Sequence, residues 1–183
     1  TCIDFWCKGG SNYELRNEEG MAHFLEHMIF KGSKSLKEGE FDLKIESLGG
    51  SSNAATGLDD VHFHVLVPPE NTEEALNLLL ELILFPEIKQ DAFEMEKEVV
   101  LEEISQNIDQ PDEIIYMKLL KECCSPHRYS RPILGDKKTI KNIMPKQMKL
   151  FHEKHYVGHN CTLCIAGIIQ NEIYSIINNS KLK

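Results

Sequence analysis

The period of the apolar positions changes several times along the chain. "CIDFWC" alternates apolar and polar side chains and predicts a strand over residues 2–8, stopped by Gly9-Gly10. Polar residues fill 11–18. After Gly20 the run "MAHFLEHMIF" is apolar almost all round a helix and ends before Gly32. Phe41, Ile45 and Leu48 share a helical face, which predicts a second helix from Ser35 to Leu48, closed by Gly49-Gly50. Alternation returns over 51–57 and 60–67, two strands around the Leu58-Asp59-Asp60 turn.

The pattern then becomes mainly helical. Pro68-Pro69 breaks it. Asn71 and Glu74 have capping-box spacing for a helix to about Phe85, and Asp91 and Glu94 repeat that spacing for a helix to about Asn107. A linker leads to Pro111 and a helix over about 112–124. The loop "SPHRYSRPILG" follows, and Pro145 opens a helix to about Tyr156. A strand over 160–167 and a partial helix complete the chain. Strands and helices come in blocks, not in strict alternation. The expected fold class is therefore α+β, a mainly antiparallel sheet with helices packed on one face.

A length of 183 residues suits a single domain, taken as 1–183. The chain opens at Thr1 inside a strand-like pattern with no initiator Met, so it is expected to be part of a longer gene product, incomplete at both ends. A net charge of −9 gives no electrostatic reason to expect nucleic acid or an anionic membrane as partner. The apolar runs are too short for a transmembrane helix.

The six cysteines are expected as free thiols in a reducing soluble compartment. Cys161 and Cys164 have CxxC spacing but fall in a strand, where positions i and i+3 face opposite sides. They read as small core residues, and Trp6 as a core aromatic. His62 and His64 read as structural. His152, His155 and His159 read as a cluster on the surface.

The chemistry concentrates in "GMAHFLEHMIFKG". On a helix, His23 and His27 lie about 40° apart, and Glu26 about 60° to the other side of His23. Two imidazoles at i and i+4 can share one tetrahedral zinc ion. A carboxylate just before the second histidine stands beside such a metal as a general base. A solvated polar stripe is the competing reading. Against it stand Ala22, Phe24, Leu25, Met28, Ile29 and Phe30, which mark a buried helix whose polar cluster needs a compensating partner. A third ligand must come from elsewhere, and "EMEKEVVLEEISQ" offers Glu103, with Glu96 two turns earlier on the same face to orient a histidine ring. Here too a plain acidic face is the alternative.

"GMAHFLEHMIFKGS", followed 76 residues after His27 by Glu103, resembles the pitrilysin/insulinase/mitochondrial-processing-peptidase family of zinc peptidases. The likeness runs from about residue 5 to 169 and includes "ESLGGSSNAATGLDDVHFHVLVP", "SRPILGDKKTIKNI" and "HYVGHNCTLCIAG". It implies a zinc-dependent endopeptidase with one Zn²⁺ per chain on His23, His27 and Glu103. Glu26 would be the base, and Glu96 would support the site by orienting a histidine ring. The edge at Asn53-Ala54 would take a peptide substrate as an added strand. Phe24, Arg128 and Tyr129 are further substrate contacts under this reading. The family's enzymes close two homologous halves around a chamber. This chain would then need a second half-domain, in cis or as a separate subunit, for full activity.

Two other functions use the same features. A non-catalytic peptide-binding subunit would have the fold without the chemistry. S-ribosylhomocysteine lyase completes an HxxEH pair with a cysteine, but the nearest downstream cysteine here, Cys123, lies 96 residues beyond His27.

Overall fold

The computed structural model describes residues 1–107 and 109–182. Ile108, in the expected linker, and Lys183, at the end of the expected domain, lie outside the described residues. Four strands form one antiparallel sheet: β1 (Cys2–Cys7), β2 (Ser51–Thr56), β3 (Val61–Leu66) and β4 (Cys161–Ala166), in the order β2-β3-β1-β4. Phe5 stands opposite Phe63 on one side and Leu163 on the other, and Ala54 opposite Phe63. β2 and β4 are the edges.

Alternation along the strands sorts the side chains between two faces. Ile3, Phe5 and Cys7 of β1 and Val61, Phe63 and Val65 of β3 are buried. The other face carries half-buried His62, His64 and Trp6. Trp6 is thus not a core residue; its ring rests on His62, 4.4 Å between centroids. The β-branched and aromatic residues that favour a pleated surface are the ones that fill the inner face.

Eight helices among the described residues complete the fold: α1 (Met21–Ile29), α2 (Glu40–Ser47), α3 (Thr72–Leu84), α4 (Gln90–Asn107), α5 (Pro111–Cys124), α6 (Lys137–Asn142), α7 (Pro145–His155) and α8 (Glu172–Asn179). The expected α+β architecture holds. One core joins the inner sheet face to Phe24 and Met28 of α1, Ile45 of α2, Leu76 and Ile83 of α3, Phe93 and Val100 of α4 and Phe151 of α7. None of the described helices is long and apolar enough to cross a membrane.

Several local expectations give way to tertiary contacts. The helix predicted from Ser35 starts only at Glu40, behind Gly39 at φ 74°. The segment before it is bound elsewhere: Ser33 bridges Pro86, and the Ser33 and Ser35 hydroxyls donate to Glu81 Oε1 at 2.7 and 2.5 Å. Neither capping box forms. Asn71 turns its amide to Leu48 O at 2.8 Å, and α4 starts at Gln90, which places Asp91 inside it. The short α6 was not predicted, although Asp136 caps it by accepting from Lys138 N and Thr139 N at 2.8 and 3.0 Å.

All six cysteines are free, but Cys164 is exposed, not a core residue. Of the expected surface cluster only His159 is exposed. His152 and His155 are buried, with His152 Nε2 2.8 Å from Ile83 O and its ring stacked on Tyr156.

Candidate metal centre

α1 and α4 pack against each other beneath the sheet, with the ring of Phe24 4.7 Å from that of Phe93. That contact turns the polar face of each helix toward a shared space. His23 Nε2 and His27 Nε2 face one another at 3.2 Å. Glu103 reaches across from α4, with Oε1 3.7 Å from His23 Nε2 and Oε2 3.5 Å from His27 Nε2. Ligand atoms on one tetrahedral zinc at ordinary bond lengths stand about 3.4 Å apart. His23, His27 and Glu103 present one donor atom each within 4.8 Å of one another, so the donor set fits such an ion. Two nitrogens and one carboxylate are the ligand types of catalytic zinc sites.

The histidine rings are held from behind. His27 Nδ1 donates to Glu96 Oε1 at 2.8 Å, which orients the ring so that Nε2 points into the shared space. Glu96 is buried, and its other oxygen pairs with Lys31 Nζ at 2.7 Å. Lys31 also binds Glu38 at 2.9 Å. Burial, with the neighbouring His27 adding to it and Glu103 opposing, lowers the His23 pKa to about 4. His23 is therefore a neutral imidazole at neutral pH, with its ring nitrogen free to donate. A hydrogen bond with His27 holds the Glu103 carboxyl below its ordinary range, against desolvation. Glu26 is half-buried, and desolvation raises its pKa despite the hydrogen bond from the Thr56 hydroxyl of β2.

The insulinase family model, peptidase family M16, matches residues 2–137. The chain belongs to this M16 family. Over 172 residues it is 34% identical to a Rickettsia felis protein named an uncharacterized zinc protease, covering 94% of this chain and 42% of that protein. Over 171 residues it is 30% identical to the mitochondrial-processing peptidase subunit beta of Dictyostelium discoideum, covering 93% and 36%. The crystal structure of a protease from Helicobacter pylori matches with a TM-score of 0.91 at 29% identity, covering 99% of this chain and 44% of that one. The M16 chain thus spans about two fifths of the length of these relatives.

The remaining residues named from sequence fall in three places. Asn53 and Ala54 lie on edge strand β2, where Asn53 is exposed and Ala54 half-buried against the core. Arg128 and Tyr129 are tied to neighbouring loops: Arg128 Nη1 donates to Asn12 O at 2.9 Å and Tyr129 Oη to Asp59 Oδ2 at 2.5 Å. Phe24 is fully enclosed against Phe93 and offers a substrate no surface, so it is a packing residue. Sequence reasoning missed Thr56 and Lys31. Lys31 lies inside the quoted motif, four residues beyond His27, but only the fold brings Glu96 to it.

Proposed function

We propose that this chain is the zinc-binding N-terminal half-domain of an endopeptidase that hydrolyses peptides or presequence-like segments. The observation that carries the reading is the convergence of His23 Nε2, His27 Nε2 and Glu103 at spacings of 3.2, 3.5 and 3.7 Å. His23, His27 and Glu103 hold one zinc ion. The chemistry a bound zinc ion supplies is that of a Lewis acid, polarising a carbonyl oxygen and making water more acidic.

Glu26 takes the proton of the attacking water and passes it to the departing amine. Its pKa, raised by burial, stands closer to neutrality than that of an exposed glutamate, which suits a group that must both accept and release a proton. The Thr56 hydroxyl orients one oxygen of Glu26. Glu96 holds the His27 ring, and Lys31 holds Glu96. The open edge of β2 offers backbone N–H and C=O groups along which a peptide lies as an added strand beside Asn53 and Ala54. A homologous second half closes over this surface.

The test uses the longer protein that contains this chain, zinc-loaded, on an unstructured reporter peptide. Glu26→Gln is expected to keep its zinc and lose about 10²–10⁴-fold in rate. A variant that cleaves at the wild-type rate overturns the role of Glu26. Zinc binding without cleavage in the wild type points to a peptide-binding subunit.

A further inference from the structure

α1 begins without a side-chain cap of its own. Its N-cap is Gly20, in the left-handed region at φ 90°, with no side chain to accept from the first amides. Nor is there room for a residue that has one. A Cβ at Gly20 would stand 2.6 Å from Leu134 O and 3.0 Å from the Gly135 Cα. The acceptor comes from six residues upstream. Glu14 is fully buried, with Oε2 accepting from Gly20 N at 2.9 Å and Oε1 from Ala22 N at 2.7 Å. Glu18 O takes the intervening Met21 N at 2.8 Å. One carboxyl and one carbonyl thus receive three successive amides at the start of the helix.

Ala22 is bonded directly to His23, so the Glu14 bond fixes the peptide that leads into the first histidine. α1 has only nine residues, and His23, Glu26 and His27 all lie on it. Movement at its first turn therefore carries all three groups together relative to Glu103 on α4. Glu14 is itself held: its backbone oxygen accepts from Arg131 Nη1 at 3.3 Å, and Arg131 Nε pairs with Glu19 at 3.4 Å. Metal and catalytic sites need their groups placed to within about 0.5 Å. An anchor at this point is well placed to supply that accuracy.

We propose that Glu14 is a positioning residue for the metal centre: by binding the Gly20 and Ala22 amides it sets where α1 presents His23 and His27 to Glu103. This rests on the zinc reading above. Glu14 touches none of the three ligand side chains, so its effect passes through the helix backbone.

The test compares the full chain with Glu14→Gln, which places an amide N–H against a backbone N–H, and with Glu14→Asp, which is one methylene too short to reach both amides. Zinc affinity is read by competition with a chelator. The coordination geometry is read from the visible absorption of the cobalt(II)-substituted chain. Far-ultraviolet dichroism establishes that each variant is folded. Both variants are expected to bind zinc about 10–100-fold more weakly, the size typical of losing a group that orients a ligand. Both should also lose intensity in the cobalt spectrum. Should Glu14→Gln fail to fold, the milder Glu14→Asp decides. Folded variants with wild-type zinc affinity and cobalt spectrum, whatever their melting temperature, overturn the proposal and leave Glu14 a stabilising cap. A wild type that takes up no zinc ends the site reading and this proposal with it, and is told apart because the failure lies in the parent chain.

Discussion

α1 and α5 are both helices with regularly spaced apolar side chains, yet the fold treats them in opposite ways. Seven of the nine residues of α1 are buried, His23 among them. None of the fourteen residues of α5 is, and Ile115, Tyr116 and Leu119 stand exposed. α1 meets α4, α7 and β2, whereas α5 rests mainly on the short turn at Arg128–Ser130. Apolar content alone does not tell them apart. What separates them is the density of tertiary partners, which also decides which helix can hold reactive groups in register. His23 and His27, two of the three proposed metal ligands, belong to the enclosed helix.

The largest effect expected from this contrast is in the core. Phe24→Ala removes a fully buried ring from between α1 and α4, and should cost about 3–5 kcal/mol in denaturant unfolding. A loss under about 1 kcal/mol would mean that α1 is not the tightly packed element described.

The legibility of these features follows the same division. The HxxEH cluster and the Glu96/Glu103 pair are readable because helical periodicity alone brings each set onto one face. The pairing of the two sets follows from the need for a third ligand and is strengthened by the family resemblance, and its geometry rests on the Phe24–Phe93 contact between helices. Thr56 and Glu14 carried no such signal. Each acts on α1 from outside the helix, Thr56 from β2 and Glu14 from the loop before it, and no periodic pattern in a polar loop marks Glu14 as buried. The start expected at Ser35 shifts to Glu40, and Asn71 precedes α3 as expected but does not cap it, for a related reason: local spacing loses to long-range bonds, Ser35 to Glu81 and Asn71 to Leu48. His152 and His155 read as surface residues because the carbonyl of Ile83 and the ring of Tyr13 that cover them come from other parts of the chain.

A pH series sharpens the comparison at the N-terminus of α1. Desolvation raises the Glu14 pKa from 4.5 to about 8, against the lowering effect of the Ala22 and Gly20 amides. The folded chain therefore keeps this proton where the unfolded chain has lost it. The stability it contributes is full below pH 4.5 and is lost as pH rises to about 8. Relative to Glu14→Gln, wild-type stability should fall between pH 5 and 8, by up to about 1.4 kcal/mol per pH unit. Parallel curves for the two proteins would show that Glu14 does not titrate in this window. Both oxygens can accept their amides with or without the proton, so the positioning role does not depend on this result.

The smallest effect belongs to α5. Leu119→Ala, at a residue 56% exposed, should change unfolding stability by no more than about 0.5 kcal/mol. A loss comparable to that of Phe24→Ala would mean that the two helices are equally enclosed, and the contrast would fail.

The most direct test of the metal centre is the zinc content of the purified, zinc-equilibrated chain, wild type beside Glu103→Ala, by atomic emission. One zinc per wild-type chain, largely lost in the variant, is the result that a His23-His27-Glu103 site predicts. Zinc retained in full by Glu103→Ala, or absent from a folded wild type, would contradict it.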